Sequence, residues 1–486
     1  MSQNTTINRR RMLSMGAGCV GGLAAQNAFG SSRQYTEQPP NILFVFSDQQ
    51  RRHALGFMGE DPVITPHTDR FASESLVFNN AISAYPLCTP YRASLLTGRY
   101  PLTTGVDGNG KGLRLDEVTI GAQLKQAGYQ TGYIGKWHLY DNKIPDYRDW
   151  HFNQNGQYVP PSHRFGFDYW HGVNCNHRTF WQLYYENSTD PAVCQFGWQP
   201  EHDIDTAVDY LRTKRTAANP FALFVSMVPP HNTHGPGFAH HEPLPGQEKR
   251  PHMFRTQHHA PEEYETLYEG KQLERRPNVH NNYGDFALSG YFGACTGLDE
   301  QFGRLLQCLE DEGLADNTIV VYTADHGDMM GSHNRFSKGV WYEESIGIPF
   351  IIRLPGRIAP GKTPLLFNSV DVMPSLLGLA GLSVPKQVEG IDCSAAMQGH
   401  SMTVPASVFT QTRSWKAVRT EQHTFLARPG REAESADMLY YDLKADPYQM
   451  KPQREERNNR ALFQSLKGQL HTWLERTRDP FARFVQ

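Results

Sequence analysis

Runs of almost uninterrupted apolar residues constrain the fold of this chain more than any other feature. They span residues 41–46, 131–134, 221–228 and 318–324. Short runs of this kind are typical of strands that are buried on both faces of a sheet. Helical patterns separate them, over residues 116–127 with Asp116 as the cap and Gly128 as the stop, and over residues 298–309. This alternation predicts an α/β fold, in which a mostly parallel sheet lies between layers of helices.

Charged and imidazole side chains directly follow each of these predicted strands. Because the carboxyl ends of parallel strands meet at one edge of a sheet, ligands of open α/β folds bind there. We therefore expect these side chains to converge on one site. The segments are Ser47-Asp48-Gln49-Gln50, Gly135-Lys136-Trp137-His138, Pro229-Pro230-His231-Asn232-Thr233-His234 and Asp325-His326-Gly327-Asp328.

One more segment combines a cysteine, a proline and an arginine at a predicted helix start. Pro90 suits the first turn because its φ is already helical, Thr89 can cap the helix, and Gly98 can end it. Cys88 would then precede the helix N-terminus, where exposed N–H groups and the helix dipole favour an anion. Arg92 lies one turn further and can lean back toward the same point. An isolated cysteine is more often a buried apolar residue, so the combination is what predicts an anion site.

The composition excludes some classes of function and bounds the domain organisation. A net charge of −3 over 486 residues leaves no basic surplus for a nucleic-acid backbone. A chain of this length exceeds one ordinary core, so we predict a catalytic domain over residues 38–390 and a smaller α+β domain over residues 391–486. The smaller domain is expected to contain an antiparallel sheet, from short strands near 404–409, 417–419 and 438–443, and an amphipathic helix over 455–476.

Two long segments, 139–215 and 236–290, show little regular pattern and are predicted to be irregular insertions that shape the binding site. The first is rich in aromatic residues and contains His177. Cys175 and Cys194 also lie in it and could form a disulfide in an oxidising compartment. The second contains several histidines, which we expect to lie in solvated loops rather than to bind a metal: His240, His241, His252, His258 and His259.

Residues 1–32 are predicted to be a signal peptide. The segment Asn8-Arg9-Arg10-Arg11-Met12-Leu13 resembles a twin-arginine signal, and a weakly apolar region too short to span a membrane follows it. This resemblance implies export of the folded protein to the periplasm or the medium. Cys19 lacks the preceding leucine of a lipoprotein box, so no lipid anchor is predicted.

The stretch from Cys88 to Arg99 resembles the signature of type I sulfatases, which is Cys or Ser, then x-Pro-x-Arg, then Thr-Gly-Arg. Every fixed position of the signature is matched in Cys88-Thr89-Pro90-Tyr91-Arg92 and Thr97-Gly98-Arg99. The resemblance implies an alkaline phosphatase-like fold and hydrolysis of sulfate esters, here on a sulfated saccharide. It also implies that a formylglycine-generating or an anaerobic sulfatase-maturating enzyme oxidises Cys88 to formylglycine, whose hydrate is the nucleophile.

The same resemblance implies a site for a divalent cation, with ligands Asp48, Gln49, Cys88, Asp325 and His326. Many members of the family have Asp and Asn where this chain has Gln49 and His326. The family relationship implies calcium, and the oxygen ligands suit a hard cation. Imidazole is the exception in this set, since it suits transition metals better, and the departures at Gln49 and His326 leave magnesium or manganese as alternatives.

The remaining polar residues receive roles by the same resemblance. Arg92, Lys136 and Lys338 would hold the nucleophile and the sulfate. His138 would be the base that expels the product sulfate, and His234 would protonate the leaving oxygen. His231 is a second candidate for that acid, and both His231 and His177 are candidate substrate-binding residues.

Two alternatives remain open from the sequence. A phosphonate or phosphate ester hydrolase shares this fold and can share the Cys-x-Pro-x-Arg turn, since phosphate and sulfate are close in shape. A non-catalytic protein that binds sulfated glycans would be expected to lack the nucleophile or the base. Cys88, Arg92, Lys136 and His138 are all present, so that alternative requires an unoxidised Cys88.

Overall fold

The apolar runs form the centre of a ten-stranded mixed sheet. The structure, a computed structural model, describes residues 38–141, 157–175, 177, 179–187, 192–232, 258–280, 285–432 and 435–486. The strands of the sheet are β1 (Asn41–Asp48), β2 (Leu76–Ile82), β3 (Gln130–Lys136), β4 (Tyr169–Val173), β5 (Trp181–Glu186), β6 (Val193–Phe196), β7 (Phe221–Pro230), β8 (Thr318–Ala324), β9 (Phe350–Arg353) and β10 (Gly361–Asn368). Their order across the sheet is β10-β2-β9-β8-β1-β7-β3-β4-β5-β6.

The four strands that were expected to carry the site are neighbours and run in parallel. β1 pairs with β7 and β8, with Ile42 opposite Ala222 and Ile319, and β3 pairs with β7. β9 and β5 run in the opposite direction to their neighbours. The prediction of a mostly parallel sheet is confirmed, and the carboxyl ends of β1, β3, β7 and β8 meet at one edge.

Helices cover both faces of this sheet, as the apolar runs predicted. Alternate side chains of β1 enter two separate cores: Phe44 packs with Leu95 and Leu376 on one face, and Val45 packs with Ile204 and Leu298 on the other. The longer helices are α1 (Pro66–Ser73), α2 (Cys88–Thr97), α3 (Ile120–Gln126), α4 (Gln199–Asp209), α5 (Asp285–Asp311), α6 (Val372–Leu379) and α7 (Arg460–Arg476). One-turn helices lie at Pro101–Thr104, Glu262–Glu265, Glu343–Ile346 and Ser394–Met397.

The predicted starts of helices α2 and α3 were wrong. Helix α2 begins at Cys88 rather than after it, because the N–H of Tyr91 already donates to the carbonyl of Leu87, at 3.0 Å, and Thr89 does not cap it. Helix α3 begins at Ile120 and is capped by Thr119, whose hydroxyl accepts the N–H of Ala122. Asp116, the predicted cap, instead accepts a hydrogen bond from Arg114.

Gly98 ends helix α2 as predicted, in the left-handed conformation with φ +63°, and donates its N–H to the carbonyl of Ser94. Its conformation favours glycine, because other residues pay a steric penalty at positive φ. This fixes the length of the short helix that carries Cys88.

The segment 139–215 was wrongly predicted to be irregular, since it contains β4, β5, β6 and α4. Its strands are only four to six residues long, too short for a periodic signal. Two of its tryptophans, Trp170 and Trp198, are fully buried and belong to the cores. In the second segment His240, His241 and His252 lie outside the described residues. His258 is buried, contrary to the expectation of a solvated loop, and its Nδ1 donates to the carbonyl of Pro230 at 2.6 Å.

The C-terminal part forms a second, four-stranded antiparallel sheet with the strands β11 (Val408–Gln411), β12 (Lys416–Arg419), β13 (His423–Pro429) and β14 (Ala436–Asp442). Helix α7 packs Leu466, Leu470 and Trp473 against this sheet at Phe425. The predicted sheet and terminal helix are therefore present, although β11 and α7 begin later than predicted and β13 was not predicted.

Residues 38–486 form one compact unit, and the division after residue 390 stays a prediction. None of the described helices has the length and apolar character required to cross a bilayer.

Candidate active site

The parallel strands deliver their polar ends to one place. Asp48 is the last residue of β1, Lys136 is the last residue of β3, and Asp325 and His326 directly follow β8. Gly135 allows this approach, because its φ is +97° and a Cβ there would overlap the carbonyl oxygen of Ser226 on β7. The four side chains are all completely buried.

Cys88 faces this cluster from the first turn of α2. Its Sγ lies 3.5 Å from Asp48 Oδ1, 3.4 Å from His326 Nε2 and 3.5 Å from Lys338 Nζ, and the residue is 0% exposed. A buried thiol between a carboxylate, an imidazole and an ammonium group is not the environment of an apolar core cysteine. The helix N-terminus at Cys88 adds a positive field at the same point.

Asp48, Cys88, Asp325 and His326 together have the geometry of a metal site. One ligand atom from each lies within 4.8 Å of all the others. Asp325 Oδ2 is buried and accepts no hydrogen bond from the described residues. The Nδ1 of His326 donates to the carbonyl of Gly327, so its Nε2 lone pair points toward the carboxylates, 3.4 Å from Asp325 Oδ1. Two carboxylates, one of which has an oxygen without a hydrogen-bond donor, and an imidazole lone pair fit a divalent cation.

Gln49 lies beside this cluster with a left-handed backbone, at φ +72°. Its N–H donates to Asp325 Oδ1 at 3.0 Å. Its side-chain Nε2 donates to Asp328, and its Oε1 accepts a hydrogen bond from Lys338. An amide oxygen has two lone pairs, so one remains for the cation that the sequence predicted at Gln49.

Two buried cations flank the carboxylates. Lys136 Nζ lies 2.6 Å from Asp48 Oδ2, and Arg92 Nη2 lies 3.3 Å from Asp48 Oδ2 and 3.6 Å from Asp325 Oδ2. The other terminal nitrogen of Arg92 donates to Ser226 Oγ at 2.7 Å and to the carbonyl of Lys136 at 2.6 Å. Ser226 was missed by the sequence analysis, although a lone polar residue in the apolar β7 run was an available signal.

The charges in the cluster shift the two carboxylates in opposite directions. Burial alone would raise the pKa of Asp48, but the charges of Lys136, Lys338 and Arg92 hold it well below its usual range. Burial and the negative charge of Asp48 raise the pKa of Asp325. Asp48 is thus the carboxylate that the protein's own cations stabilise, and Asp325 is the one that an added cation would stabilise.

Three imidazoles line the other side of the site. Burial and the charge of Lys136 hold the pKa of His138 well below its usual range, so its ring is neutral and can accept a proton. Burial and Lys338 do the same for His231, whose Nε2 lies 2.6 Å from Lys338 Nζ. His177 stacks on His231 with ring centroids 4.3 Å apart, and its Nε2 lies 3.1 Å from Lys136 Nζ. His234 lies outside the described residues.

The loop after β8 places Lys338. Asp328 accepts the N–H groups of Met330 and Ser337 on its Oδ1, at 2.9 and 3.1 Å, while its Oδ2 accepts the Gln49 amide. Lys338 contacts Gln49, Cys88 and His231 with one ammonium group. Its local sequence gave little indication of this position, which the family resemblance supplied.

Cys175 does not form the disulfide that the sequence left possible. It is a free cysteine, buried behind Lys136, and burial raises its pKa to about 11. Cys295, Cys308 and Cys393 are also free and buried. Among the free cysteines that the structure describes, only Cys88 belongs to the candidate metal cluster.

Comparisons with known proteins agree with this geometry. A family model described as Sulfatase matches residues 40–382, and a second, described as N-sulphoglucosamine sulphohydrolase, C-terminal, matches residues 331–476. An ulvan-active sulfatase of Formosa agariphila is 34% identical over 91% of this chain and 82% of its own length. An endo-4-O-sulfatase of Bacteroides thetaiotaomicron is 31% identical over 95% of this chain and 98% of its own length.

A solved structure connected with the metabolism of multiple glycosaminoglycans by Bacteroides thetaiotaomicron superimposes with a TM-score of 0.81. It is 29% identical and covers 92% of this chain and 98% of the solved chain. The mixed sheet with its helices and the small antiparallel sheet are those of the alkaline phosphatase-like fold, as the signature implied. Neither the phosphonate or phosphate ester alternative nor the non-catalytic alternative is favoured by these relationships. The chain belongs to the sulfatase family and is a sulfuric ester hydrolase.

Proposed function

We propose that this protein hydrolyses sulfate esters of a carbohydrate at a residue 88 that has been oxidised, with the assistance of a divalent cation. The observation that carries the proposal is the position of Cys88 Sγ, within 3.5 Å of Asp48, His326 and Lys338. Asp48 and Lys338 lie far from Cys88 in the sequence, so the fold has brought a carboxylate and a cation to the same thiol.

Formylglycine at position 88 would supply, as its hydrate, an oxygen nucleophile. Arg92 and Lys136 both contact Asp48, which lies beside position 88. They can therefore stabilise negative charge on the hydrate oxygen of formylglycine. Lys338 donates to Cys88 Sγ and can equally donate to a sulfate oxygen placed next to it. Together with the α2 N-terminus these groups form a positive surface for a tetrahedral dianion or monoanion.

A divalent cation at this site would neutralise charge on a sulfate oxygen. Asp48, Asp325 and His326 would hold it, with position 88 and Gln49 as further ligands. The oxygen-rich ligand set favours calcium, as the family resemblance implies. Magnesium, which shares the preference for oxygen, and manganese, which also accepts an imidazole, are the alternatives.

The proton transfers fall to the neutral histidines. His138 is buried with a lowered pKa, so it can take the proton whose loss releases the product sulfate. We keep His234 as the predicted donor to the leaving oxygen. His231, which lies at Lys338 and stacks on His177, is the described candidate for the same role, and the negative charge of a bound sulfate ester would favour its protonated form. His177 would contact the substrate.

A sulfated saccharide is the proposed substrate, because the relatives named above include an ulvan-active sulfatase and an endo-4-O-sulfatase. The proposal also includes export through a twin-arginine signal over residues 1–32 and modification of Cys88 by a separate maturation enzyme.

The test combines mass spectrometry with a paired assay. The full chain would be produced with and without a formylglycine-generating enzyme, and the peptide containing residue 88 would be weighed. We expect the modified protein to hydrolyse 4-nitrophenyl sulfate faster than 4-nitrophenyl phosphate, and the unmodified protein to hydrolyse neither. Equal sulfate turnover by the protein with an intact thiol would contradict the role of residue 88, and a preference for the phosphate ester would contradict the substrate class.

A further inference from the structure

One tyrosine hydroxyl holds the two peptides that follow Gln49. Tyr291 OH donates to the carbonyl of Gln49 at 2.9 Å and accepts the N–H of Arg51, also at 2.9 Å. No local pattern indicates this contact, because Tyr291 lies in the long helix α5, more than 200 residues away from Gln49.

Gln49 needs such a clamp, because its φ of +72° is unfavourable for a residue with a side chain. Its N–H is the group that donates to Asp325 Oδ1, and it directly follows Asp48 in the chain. If the turn relaxed to a negative φ, the N–H would rotate away from Asp325. The hydrogen bond from the Gln49 N–H would then no longer fix the distance between the carboxylates of Asp48 and Asp325.

The ring of Tyr291 is itself immobilised. Tyr291 is 0% exposed, and the ring of His258 packs edge-on against it, with centroids 5.1 Å apart and an angle of 84°. His258 donates its Nδ1–H to the carbonyl of Pro230, the residue before His231. The hydroxyl is thus fixed relative to the ends of both β1 and β7.

We propose that Tyr291 is a positioning residue of the active site, whose hydroxyl holds the Gln49 turn and thereby sets the distance between Asp48 and Asp325. This inference rests on the proposed cation site, because its effect is transmitted through the carboxylates to that cation. The two hydrogen bonds of the Tyr291 hydroxyl go to backbone groups, so Tyr291 would act through the Gln49 turn and not as a ligand.

Tyr291→Phe removes the hydroxyl and keeps the ring in place against His258. Tyr268→Phe is the matched control, since Tyr268 is also buried in the same core cluster, at 2% exposure. Its hydroxyl likewise has two partners, the N–H of Ile64 at 2.8 Å and Thr296 Oγ1 at 2.5 Å, but neither leads to the site. Both variants therefore lose one buried hydroxyl, and a general loss of stability would be common to them.

The experiment measures the affinity of metal-stripped full-length protein for Ca²⁺ and Mn²⁺ in separate titrations, by the rise in melting temperature and by recovered turnover of 4-nitrophenyl sulfate. We expect Tyr291→Phe to bind the cation about tenfold more weakly, as is usual when a residue behind a metal ligand is removed. Its kcat at saturating cation should fall while KM stays within twofold. Tyr268→Phe should match the wild type in both quantities.

Equal cation affinity in Tyr291→Phe and wild type would overturn the inference while leaving the proposed function intact. An equal loss in both variants would also overturn it, because the effect would then be one of stability alone. A wild-type protein that neither binds nor responds to a cation would overturn the cation site and this role for Tyr291 together.

Discussion

Two buried carboxylates in this protein, Glu343 and Asp325, have pKa values that are shifted in opposite directions. Glu343 lies between Arg419 on the small sheet and Arg52 after β1, with Oε1 2.8 Å from Arg419 Nε and Oε2 2.7 Å from Arg52 Nη2. Burial would raise its pKa, but these two arginines lower it to about 2. Asp325 is equally buried, yet burial and Asp48 raise its pKa, and its Oδ2 accepts no hydrogen bond from the described residues.

The difference separates a structural charge cluster from a functional one. At Glu343 the protein supplies a donor for each oxygen, so the charge is stable without any ligand and connects the two sheets. At Asp325 the protein leaves one oxygen without a donor, and an added cation would stabilise the anion. A buried charge that the fold does not satisfy therefore indicates a binding site more clearly than burial or ion pairing alone.

The largest effect is expected from Cys88→Ala, since the reaction is proposed to need residue 88 itself. Turnover of 4-nitrophenyl sulfate should fall at least about 1,000-fold, because loss of a nucleophile is not compensated by neighbouring groups. Steady-state kinetics of protein produced with the maturation enzyme measure this. Cys393→Ala removes a thiol that is also 0% exposed but lies in the large core, and it should keep its activity. Similar activity of the two variants would contradict the nucleophile.

Asp325→Asn should lower turnover about 100-fold and abolish its dependence on a divalent cation, since a cation at the reaction centre contributes several kcal/mol. In metal-free protein the same change should not lower the melting temperature, because it removes a buried negative charge that Asp48 repels and keeps the oxygen that accepts the Gln49 N–H. Calorimetry with and without calcium checks both. A buried carboxylate that caps α1, Asp299, offers a control, and Asp299→Asn should keep the response to calcium.

Glu343→Gln should have the opposite signature. Breaking this buried cluster leaves two arginines without their anion and should lower the free energy of unfolding by about 3 kcal/mol. Kinetic constants at 25 °C should change little. Urea titration measures this loss. Glu74 lies between Arg70 and Arg353 but is partly exposed, so Glu74→Gln should lower the free energy of unfolding by less than about 0.5 kcal/mol in the same titration. A larger loss in Glu74→Gln than in Glu343→Gln would refute the comparison.

The pH dependence of stability sharpens the same contrast. The pKa of Glu343 is lowered from 4.5 to about 2, so the folded protein binds fewer protons than the unfolded chain between these values. Its contribution is present above pH 4.5 and is lost as the pH falls toward 2, and it amounts to about 3 kcal/mol. Acid unfolding of Glu343→Gln, followed by circular dichroism, should therefore be less steep than that of the wild type over this range. Parallel curves would show that Glu343 does not titrate as described.

The smallest effect is expected from Lys338→Gln, which keeps a hydrogen-bond donor but removes a charge from the sulfate position. We expect kcat/KM to fall about tenfold, mostly through KM, since hydrogen bonds to charged groups contribute on the order of 1.5–3 kcal/mol. Lys111 is paired with Asp107 at the surface, so Lys111→Gln should have no such effect. An unchanged KM for 4-nitrophenyl sulfate in Lys338→Gln would remove Lys338 from the sulfate site.

Much of the large sheet was predictable, because strands buried on both faces leave apolar runs that no other element explains as well. The small sheet was less predictable: β13 is only seven residues long, with four consecutive buried residues between less buried ends, and its pairing with β14 depends on contacts that form only on folding. The short strands of the 139–215 segment were missed for the same reason.

The site was predicted where residues follow strand ends, since topology alone brings those ends together. Asp48, Lys136 and Asp325 belong to this class. Tyr291 and Ser226 do not, because each lies inside a helix or strand and reaches the site through a single hydroxyl. Nothing in the local sequence pattern distinguishes such a hydroxyl from one that only makes a hydrogen bond inside the hydrophobic core.

Under the proposed function, the complete burial of Cys88 has a consequence for the order of folding and oxidation. A separate enzyme would have to reach the Cys88 sulfur, and in the folded protein every residue of α2 is buried. The oxidation would therefore have to precede folding. Protein that folds before it is oxidised would keep the unmodified thiol. The specific activity of a preparation would then report the fraction of chains that were oxidised before they folded.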